Sequence, residues 1–128
     1  MSKPKTIIHE FDPVVYPVKL WVTIAPDLDE LSERFVYYPS GDKIETKEAD
    51  IFVAFTYRVK NRQTGHLGIL VSFVSKKYCT VKNLTHEATH AARDIWKHLG
   101  ENETGTEADA YLVGWIAECI EKVKLNKE

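Results

Sequence analysis

The chain has 128 residues, which lies within the size range of a single domain, and we expect one domain spanning 1–128. Hydrophobic residues make up 44% and charged residues 28%, close to the average of soluble globular proteins, which excludes a disordered or fibrous chain. Lys and Arg (17) nearly balance Asp and Glu (19). Since no basic run interleaves with aromatic residues, we expect no nucleic-acid partner.

The sequence shows no pattern of a membrane span or secretory signal and has few cysteines, from which we expect an intracellular protein. No apolar run approaches the roughly 18 residues that a membrane span needs, and the first residues lack the apolar stretch of a secretory signal. We therefore expect a cytoplasmic protein without membrane association. Two cysteines, Cys79 and Cys119, are too few for a disulfide framework and are predicted to be buried free thiols.

The first third of the chain predicts two short strands and one short helix. Residues 18–24 (VKLWVTI) alternate apolar and polar side chains, which is typical of a half-buried strand, and Pro26 ends it. Asp27 is predicted to cap a helix over 28–35, because its carboxylate can accept from free backbone N–H groups. Residues 35–38 (FVYY) form a second strand candidate.

Two stronger strands follow. Residues 50–59 (DIFVAFTYRV) and 67–74 (LGILVSFV) are rich in β-branched and aromatic side chains, and the segment between them supplies turn residues. We expect the two strands to pair as an antiparallel hairpin.

The last third of the chain is helical. From Thr80 onward, apolar residues recur with a period of 3.6, and Gly100 is placed to end this first long helix with a left-handed residue. A second helix is predicted over 107–123, with Thr104 or Thr106 as its N-cap. Strands followed by helices indicate an α+β fold: a small antiparallel or mixed sheet packed on these two helices.

Residues 86–90 read HEATH, a pattern that carries chemistry. On a helix, His86 and His90 lie one above the other on one face, where two imidazoles can bind a single Zn²⁺ ion. Glu87 lies next to that ion and can take a proton from a metal-bound water that attacks a carbonyl. Ala88 lies about 200° around the helix from His86, so the apolar face is directed away from the histidine face.

Catalytic zinc normally takes three protein ligands and a water, so a third ligand is needed. The carboxylates Glu103, Glu107 and Asp109 compete for this role. The first helix continues roughly 13 Å beyond His90, which Glu103 can barely span on the way back. Glu107 and Asp109 both have the reach, but they lie about 200° apart around the second helix and should not share one metal.

HEATH followed by GTEADAYLVGW resembles the zincin metallopeptidases whose third ligand is a glutamate, including small phage and bacterial members. The resemblance covers about 83–118. It implies zinc bound by His86, His90 and Glu107, with Glu87 as the general base in the hydrolysis of a peptide or protein substrate. It also suggests Tyr111 as a donor to the oxyanion.

Some features depart from related families. The metzincin pattern requires a glycine and a third histidine where this chain has Arg93 and Trp96, which excludes that branch. The stretch GTEAD also resembles aspartate-ligand zincins, in which Asp109 would be the ligand. Their tyrosine follows that aspartate by three residues, whereas Tyr111 follows by two, so Asp109 stays an alternative to Glu107.

The substrate surface can also be predicted from the resemblance. In zincins an edge strand above the catalytic helix receives an extended peptide by strand addition, and 66–74 is the candidate here. The competing hypothesis is a zincin-like protein-binding module with a structural zinc and little or no proteolytic activity.

Trp96 and Trp115 are expected in the core, and Gly114 is expected to permit close helix packing. The residues do not specify the oligomeric state.

Overall fold

A computed structural model describes residues 6–14, 16–44, 53–100 and 105–126. A 3₁₀ turn at Lys76–Tyr78 precedes the helix at Val81–His98. Among these residues, no helix is long and apolar enough to cross a bilayer. The strands and helices, in chain order, are β1 (His9–Phe11), β2 (Lys19–Ile24), α1 (Leu28–Arg34), β3 (Phe35–Tyr37), β4 (Ala54–Asn61), β5 (Leu67–Phe73), α2 (Val81–His98) and α3 (Glu107–Leu125).

The strands form one five-stranded sheet in the order β1-β2-β5-β4-β3. β4 and β5 form the predicted antiparallel hairpin, with Ala54 opposite Phe73 and Lys60 opposite Leu67. β2 and β5 run parallel, so the sheet is mixed. The predicted α+β fold, with a mixed sheet and two long helices, is therefore confirmed.

The first strand, β1, was not predicted. It pairs antiparallel with β2, and the indole N–H of Trp21 donates to Glu10 across this pair at 2.9 Å. A strand of three residues is too short to show a period of two in the sequence.

The expectation that 66–74 forms an edge strand is wrong. β5 lies inside the sheet, hydrogen-bonded to β2 on one side and to β4 on the other. Its residues from Gly68 to Phe73 are all buried. An uninterrupted apolar run of this kind is typical of a strand that is covered on both faces, because alternation is lost when neither face meets water.

Apolar side chains cover both faces of the sheet. Alternate residues of β2 separate onto the two faces, with Leu20 and Val22 on one and Trp21 on the other. The first face packs against α2 and α3 and forms the larger core, which includes the buried Trp96 and the partly buried Trp115. The second face forms a smaller core under α1 and β3.

The caps predicted at Asp27 and Thr106 are confirmed, and Thr80 is a further cap that was not predicted. The Asp27 carboxylate accepts from the N–H groups of Asp29 and Glu30 at 3.0 and 3.4 Å. Thr80 caps α2 and Thr106 caps α3 through their hydroxyl groups. Gly100 follows α2 with φ of +73°, a left-handed conformation that glycine adopts without steric cost.

Gly68 permits the parallel contact between β5 and β2. A Cβ atom at this position would lie 2.4 Å from the backbone oxygen of Lys19 and 2.6 Å from the ring of Trp21. The backbone oxygen cannot move without breaking the strand pairing. Gly114 differs, because a Cβ there meets nothing within 4 Å, so the expected close packing at Gly114 is wrong.

We predict that Gly68→Ala lowers the free energy of unfolding by about 1 to 3 kcal/mol, because the added methyl group overpacks the β2–β5 contact. The matched control is Gly114→Ala, which should raise the free energy of unfolding by up to about 1 kcal/mol through helix propensity. Urea denaturation of the three proteins measures both values. Equal stability of Gly68→Ala and the parent would contradict the strand contact.

Candidate metal centre

The rotation of α2 places the two histidines of HEATH at the surface. Leu84, Ala88 and Ile95 of this helix are buried against the sheet, whereas His86 and His90 are exposed. This arrangement follows from the helical period, since the buried residues lie between about 140° and 200° around the helix from His86. The histidine face is therefore accessible to a metal ion from solvent.

The two imidazoles converge on one point. Their Nε2 atoms lie 3.1 Å apart, with the ring centres separated by 4.6 Å and the ring planes at 80°. Two nitrogen ligands of a tetrahedral zinc ion, each at about 2.0–2.1 Å, are about 3.3 Å apart. The pair fits that spacing. The same separation also suits a hydrogen bond between an N–H on one ring and the lone pair on the other.

Glu87 faces a different direction from the histidines, toward the sheet. The residue is 7% exposed, and its Oε1 accepts a hydrogen bond of 2.6 Å from the hydroxyl group of Thr56 on β4. No hydrogen bond to Oε2 is found in the described part of the chain. The carboxylate is therefore oriented by a neutral donor through one oxygen, and its second oxygen can accept a proton.

The half of β4 that adjoins Glu87 has a free backbone edge within the described ranges. β3 pairs only with the far end of β4, from Val59 to Asn61, and the N–H of Tyr38 donates to the oxygen of Arg58 at 2.9 Å. Backbone groups alternate in direction along an antiparallel strand, so those of Ala54 and Thr56 also point away from β5. This edge lies beside the Glu87 carboxylate.

Asp94 lies one helical turn after His90, on the side of α2 that faces β4. It lines a cavity of about 510 Å³ together with Thr56 and Arg58. Burial raises the pKa of the Asp94 carboxyl group above its usual value, while the positive charges of Lys97, Arg58 and His90 act in the opposite direction.

The structure does not bring Glu107 to the histidines. Glu107 is exposed at the first position of α3. The hydrogen bond from Trp96 to Asp109 fixes which part of α2 lies beside this end of α3. His90 precedes Trp96 by roughly 9 Å of helix rise. In addition, Glu107 lies about 200° around α3 from Asp109, on the side away from α2.

Asp109 is committed to a structural contact. It is 9% exposed, and its Oδ1 accepts a hydrogen bond of 2.9 Å from the indole N–H of Trp96. Its Oδ2 accepts from the N–H of Gly105 at 3.3 Å. Both oxygens of this alternative ligand are therefore engaged away from His86 and His90.

Tyr111 also lies away from Glu87. It is 75% exposed on the outer side of α3 and lines a groove of about 330 Å³ with Tyr16 and Trp115. The structure thus separates the proposed oxyanion donor from the HEATH carboxylate.

Glu103, the remaining ligand candidate, lies outside the described residues. Among those that are described, no group of three or more His, Cys, Asp or Glu side chains is placed to hold one metal ion. The geometry supplies a converging histidine pair and a buried carboxylate, without a third ligand from the described ranges. Comparisons of the chain with models of protein families, with curated proteins and with solved structures find no match.

Sequence reasoning missed the contributions of β4 and the end of β3. Thr56 and Arg58 alternate with Phe55 and Val59, which are buried in the smaller core, so the strand pattern already places the two polar residues on the opposite face. The pattern does not reveal that α2 covers this face. That contact depends on the strand order, which periodicity does not contain.

We predict different effects from the two acidic residues at the start of α3. Asp109→Ala should lower the free energy of unfolding by about 1.5 to 3 kcal/mol, because the buried N–H of Trp96 loses a charged acceptor. Glu107→Ala should cost less than about 1 kcal/mol, the value of an exposed negative charge at a helix N-terminus. Urea denaturation in the presence of a chelator isolates these effects from metal binding. An equal loss in both variants would contradict the Asp109–Trp96 assignment.

Proposed function

We propose that the protein is a zinc-dependent hydrolase that cleaves peptide bonds, with zinc bound by His86 and His90. The observation that carries the proposal is the 3.1 Å separation of the two Nε2 atoms. Both rings are exposed, which favours a catalytic site over a structural one, because structural zinc sites are closed by protein ligands whereas catalytic sites keep an open position.

Glu87 is the general base in this proposal. Zinc, when bound, polarises a scissile carbonyl and lowers the pKa of a coordinated water to about 7. Glu87 follows His86 directly and carries one oxygen fixed by Thr56 at 2.6 Å. Its second oxygen accepts the proton of the attacking water and later passes a proton to the leaving amine, the role of a general base followed by a general acid.

The residues fit zinc in part. The imidazole pair has the spacing and the chemical character that zinc prefers. Glu107, the ligand implied by the resemblance to glutamate-ligand zincins, stays a prediction, because the described geometry directs it away from the histidines. A mixed sheet with the HEATH helix packed on one face supports a zincin-like fold without testing it.

The substrate is proposed to bind along the first half of β4. The outward N–H and C=O groups of Ala54 and Thr56 offer the pairing that an extended peptide uses when it adds to a sheet edge. A peptide held there lies against α2 next to Glu87, which brings its carbonyl groups to the acid-base residue. This site replaces β5, whose two edges are already paired.

The competing function is a protein-binding module that uses the same surface, with a structural zinc and little or no proteolytic activity. The outward-facing backbone groups of Ala54 and Thr56 favour it, because strand addition at a sheet edge holds a partner without any hydrolytic step. The two functions make the same prediction for metal content and opposite predictions for hydrolysis.

We predict that the purified protein binds zinc in a one-to-one ratio and that His86→Ala and His90→Ala each abolish this binding, since one imidazole cannot hold the ion alone. His66→Ala is the matched control, because His66 is exposed on the β4–β5 turn and should leave the zinc content unchanged. Inductively coupled plasma mass spectrometry of dialysed protein gives the ratios. Zinc retained by His86→Ala would rule out the histidine pair as the site.

We predict that Glu87→Gln keeps zinc but lowers the rate of peptide hydrolysis by about 10² to 10⁴-fold, because the amide cannot accept a proton. Thr56→Val should have a smaller effect in the same direction, since it removes only the donor that orients Glu87. The rates are measured by mass spectrometry on a broad peptide library. A zinc-loaded parent that cleaves none of these peptides would favour the protein-binding module.

A further inference from the structure

A second feature adjoins the proposed site, a cavity of about 510 Å³ between β4, the end of β3 and α2. We call it the Arg58 pocket. Its polar wall contains Arg58 and Asp94, and Thr56 connects it to Glu87, because Thr56 lines the cavity and its hydroxyl group donates to the Glu87 carboxylate. Three tyrosines form its aromatic wall, namely Tyr37, Tyr38 and Tyr57.

Arg58 has unused hydrogen-bonding capacity. Its Nε atom is buried and has no hydrogen-bond partner among the described residues. Its guanidinium carbon lies 5.4 Å from the centre of the Tyr38 ring, which holds the group in place without using its N–H donors. Within the same ranges, the ion pairs involve other cations, and no carboxylate pairs with Arg58.

The surrounding charges leave Arg58 as the dominant positive group of the pocket. Asp94 lines the same pocket without forming an ion pair with Arg58, and burial raises the pKa of the Asp94 carboxyl group. His98 packs against Tyr38, and burial together with the charge of Arg58 lowers the pKa of its imidazole, which keeps that ring neutral near pH 7.

The pocket lies at the end of the stretch of β4 edge that has no strand partner among the described residues. The Tyr38 N–H donates to the Arg58 oxygen, so β3 begins to pair with β4 at this residue and blocks the edge beyond it. A peptide added along Ala54 and Thr56 therefore runs out of backbone partners at Arg58. A substrate residue that pairs beside Thr56 would therefore adjoin the Arg58 pocket, which Thr56 and Arg58 both line.

We propose that the Arg58 pocket is a specificity pocket that binds a carboxylate of the substrate, through the paired N–H donors of the Arg58 guanidinium. A planar guanidinium fork matches a carboxylate in a bidentate geometry, and the tyrosines cover the apolar part of the same residue. The carboxylate belongs either to an acidic side chain or to the C-terminus of the peptide. The inference rests on the proposed function for the direction from which the substrate enters.

The test measures binding, so that it does not depend on hydrolysis. Four acetylated tetrapeptides are titrated into the isotope-labelled full chain, with and without zinc, and the affinities are read from chemical shifts. One pair differs only in a free or amidated C-terminus, and the other pair, both amidated, carries Glu or Gln at one internal position. We expect at least one carboxylate peptide to bind about tenfold more tightly than its neutral partner, with the largest shifts around Arg58.

Variants assign the preference to the guanidinium. Arg58→Gln should remove the tenfold difference, and Arg58→Lys, which keeps the charge but not the fork, should retain part of it. Lys60→Gln is the matched control, because it removes one positive charge from an exposed position on the same strand and should leave the preference unchanged. The spectra of the variants also report whether each one is folded.

The outcomes separate this inference from the proposed function. A preference for the free C-terminus alone, or for internal Glu alone, supports the inference and identifies the source of the carboxylate. Equal affinities within both pairs, or a preference that survives in Arg58→Gln, overturn it, even when zinc is bound and peptides are cleaved. A carboxylate preference that depends on Arg58 in a protein that binds no zinc refutes the hydrolase and leaves the pocket in place.

Discussion

The candidate site depends on how α2 is rotated about its own axis. Leu84, Ala88 and Ile95 are buried against the sheet, and small Ala91 and Ala92 on the same side are fully buried, which lets the helix lie close to β5 and β4. Once this face is fixed, the helical period leaves no freedom for the remaining positions. His86 and His90 must face solvent, and Glu87 must face β4.

The rotation of α3 is set by its buried apolar face, which includes Leu112 and Ile116, and at the start of the helix by the buried hydrogen bond from Trp96 to Asp109. A buried indole N–H without an acceptor costs free energy, so Asp109 is held on the inner side of α3. Glu107 and Tyr111 lie two residues before and after Asp109, and each is therefore about 160° to 200° around the helix, toward solvent. The same bond that stabilises the helix pair thus directs both of these predicted site residues away from the histidines.

Local patterns in the sequence predicted the elements of this fold better than their arrangement. Asp27 and Thr106 were recognisable as caps because a cap acts on backbone groups within three residues. The position of β5 was missed because it depends on the parallel pairing with β2, which joins residues about fifty positions apart and leaves no local mark except the close approach at Gly68.

The HEATH stretch illustrates the same limit within the site. Its period placed His86 and His90 on one exposed face, and the structure adds their 3.1 Å separation. The helical period could not predict the hydrogen-bond partner of Glu87, because that partner, Thr56, belongs to a strand thirty-one residues earlier in the chain. Periodicity states which face a residue occupies, whereas the neighbour of that face depends on the order of the strands.

The division of roles along β4 follows from this arrangement. Thr56 and Arg58 face α2 from the same side of the strand, about 7 Å apart along its axis. Thr56 gives Glu87 a neutral hydroxyl donor, which orients the carboxylate without adding a positive charge, and this arrangement suits the proposed role of Glu87 as a base. Arg58, two residues further along β4, places its guanidinium over the Tyr38 ring and lines the Arg58 pocket. Exchanging the two residues would place the arginine beside Glu87, which would favour the ionised carboxylate and make it a weaker proton acceptor, and would remove the charged donor from the Arg58 pocket.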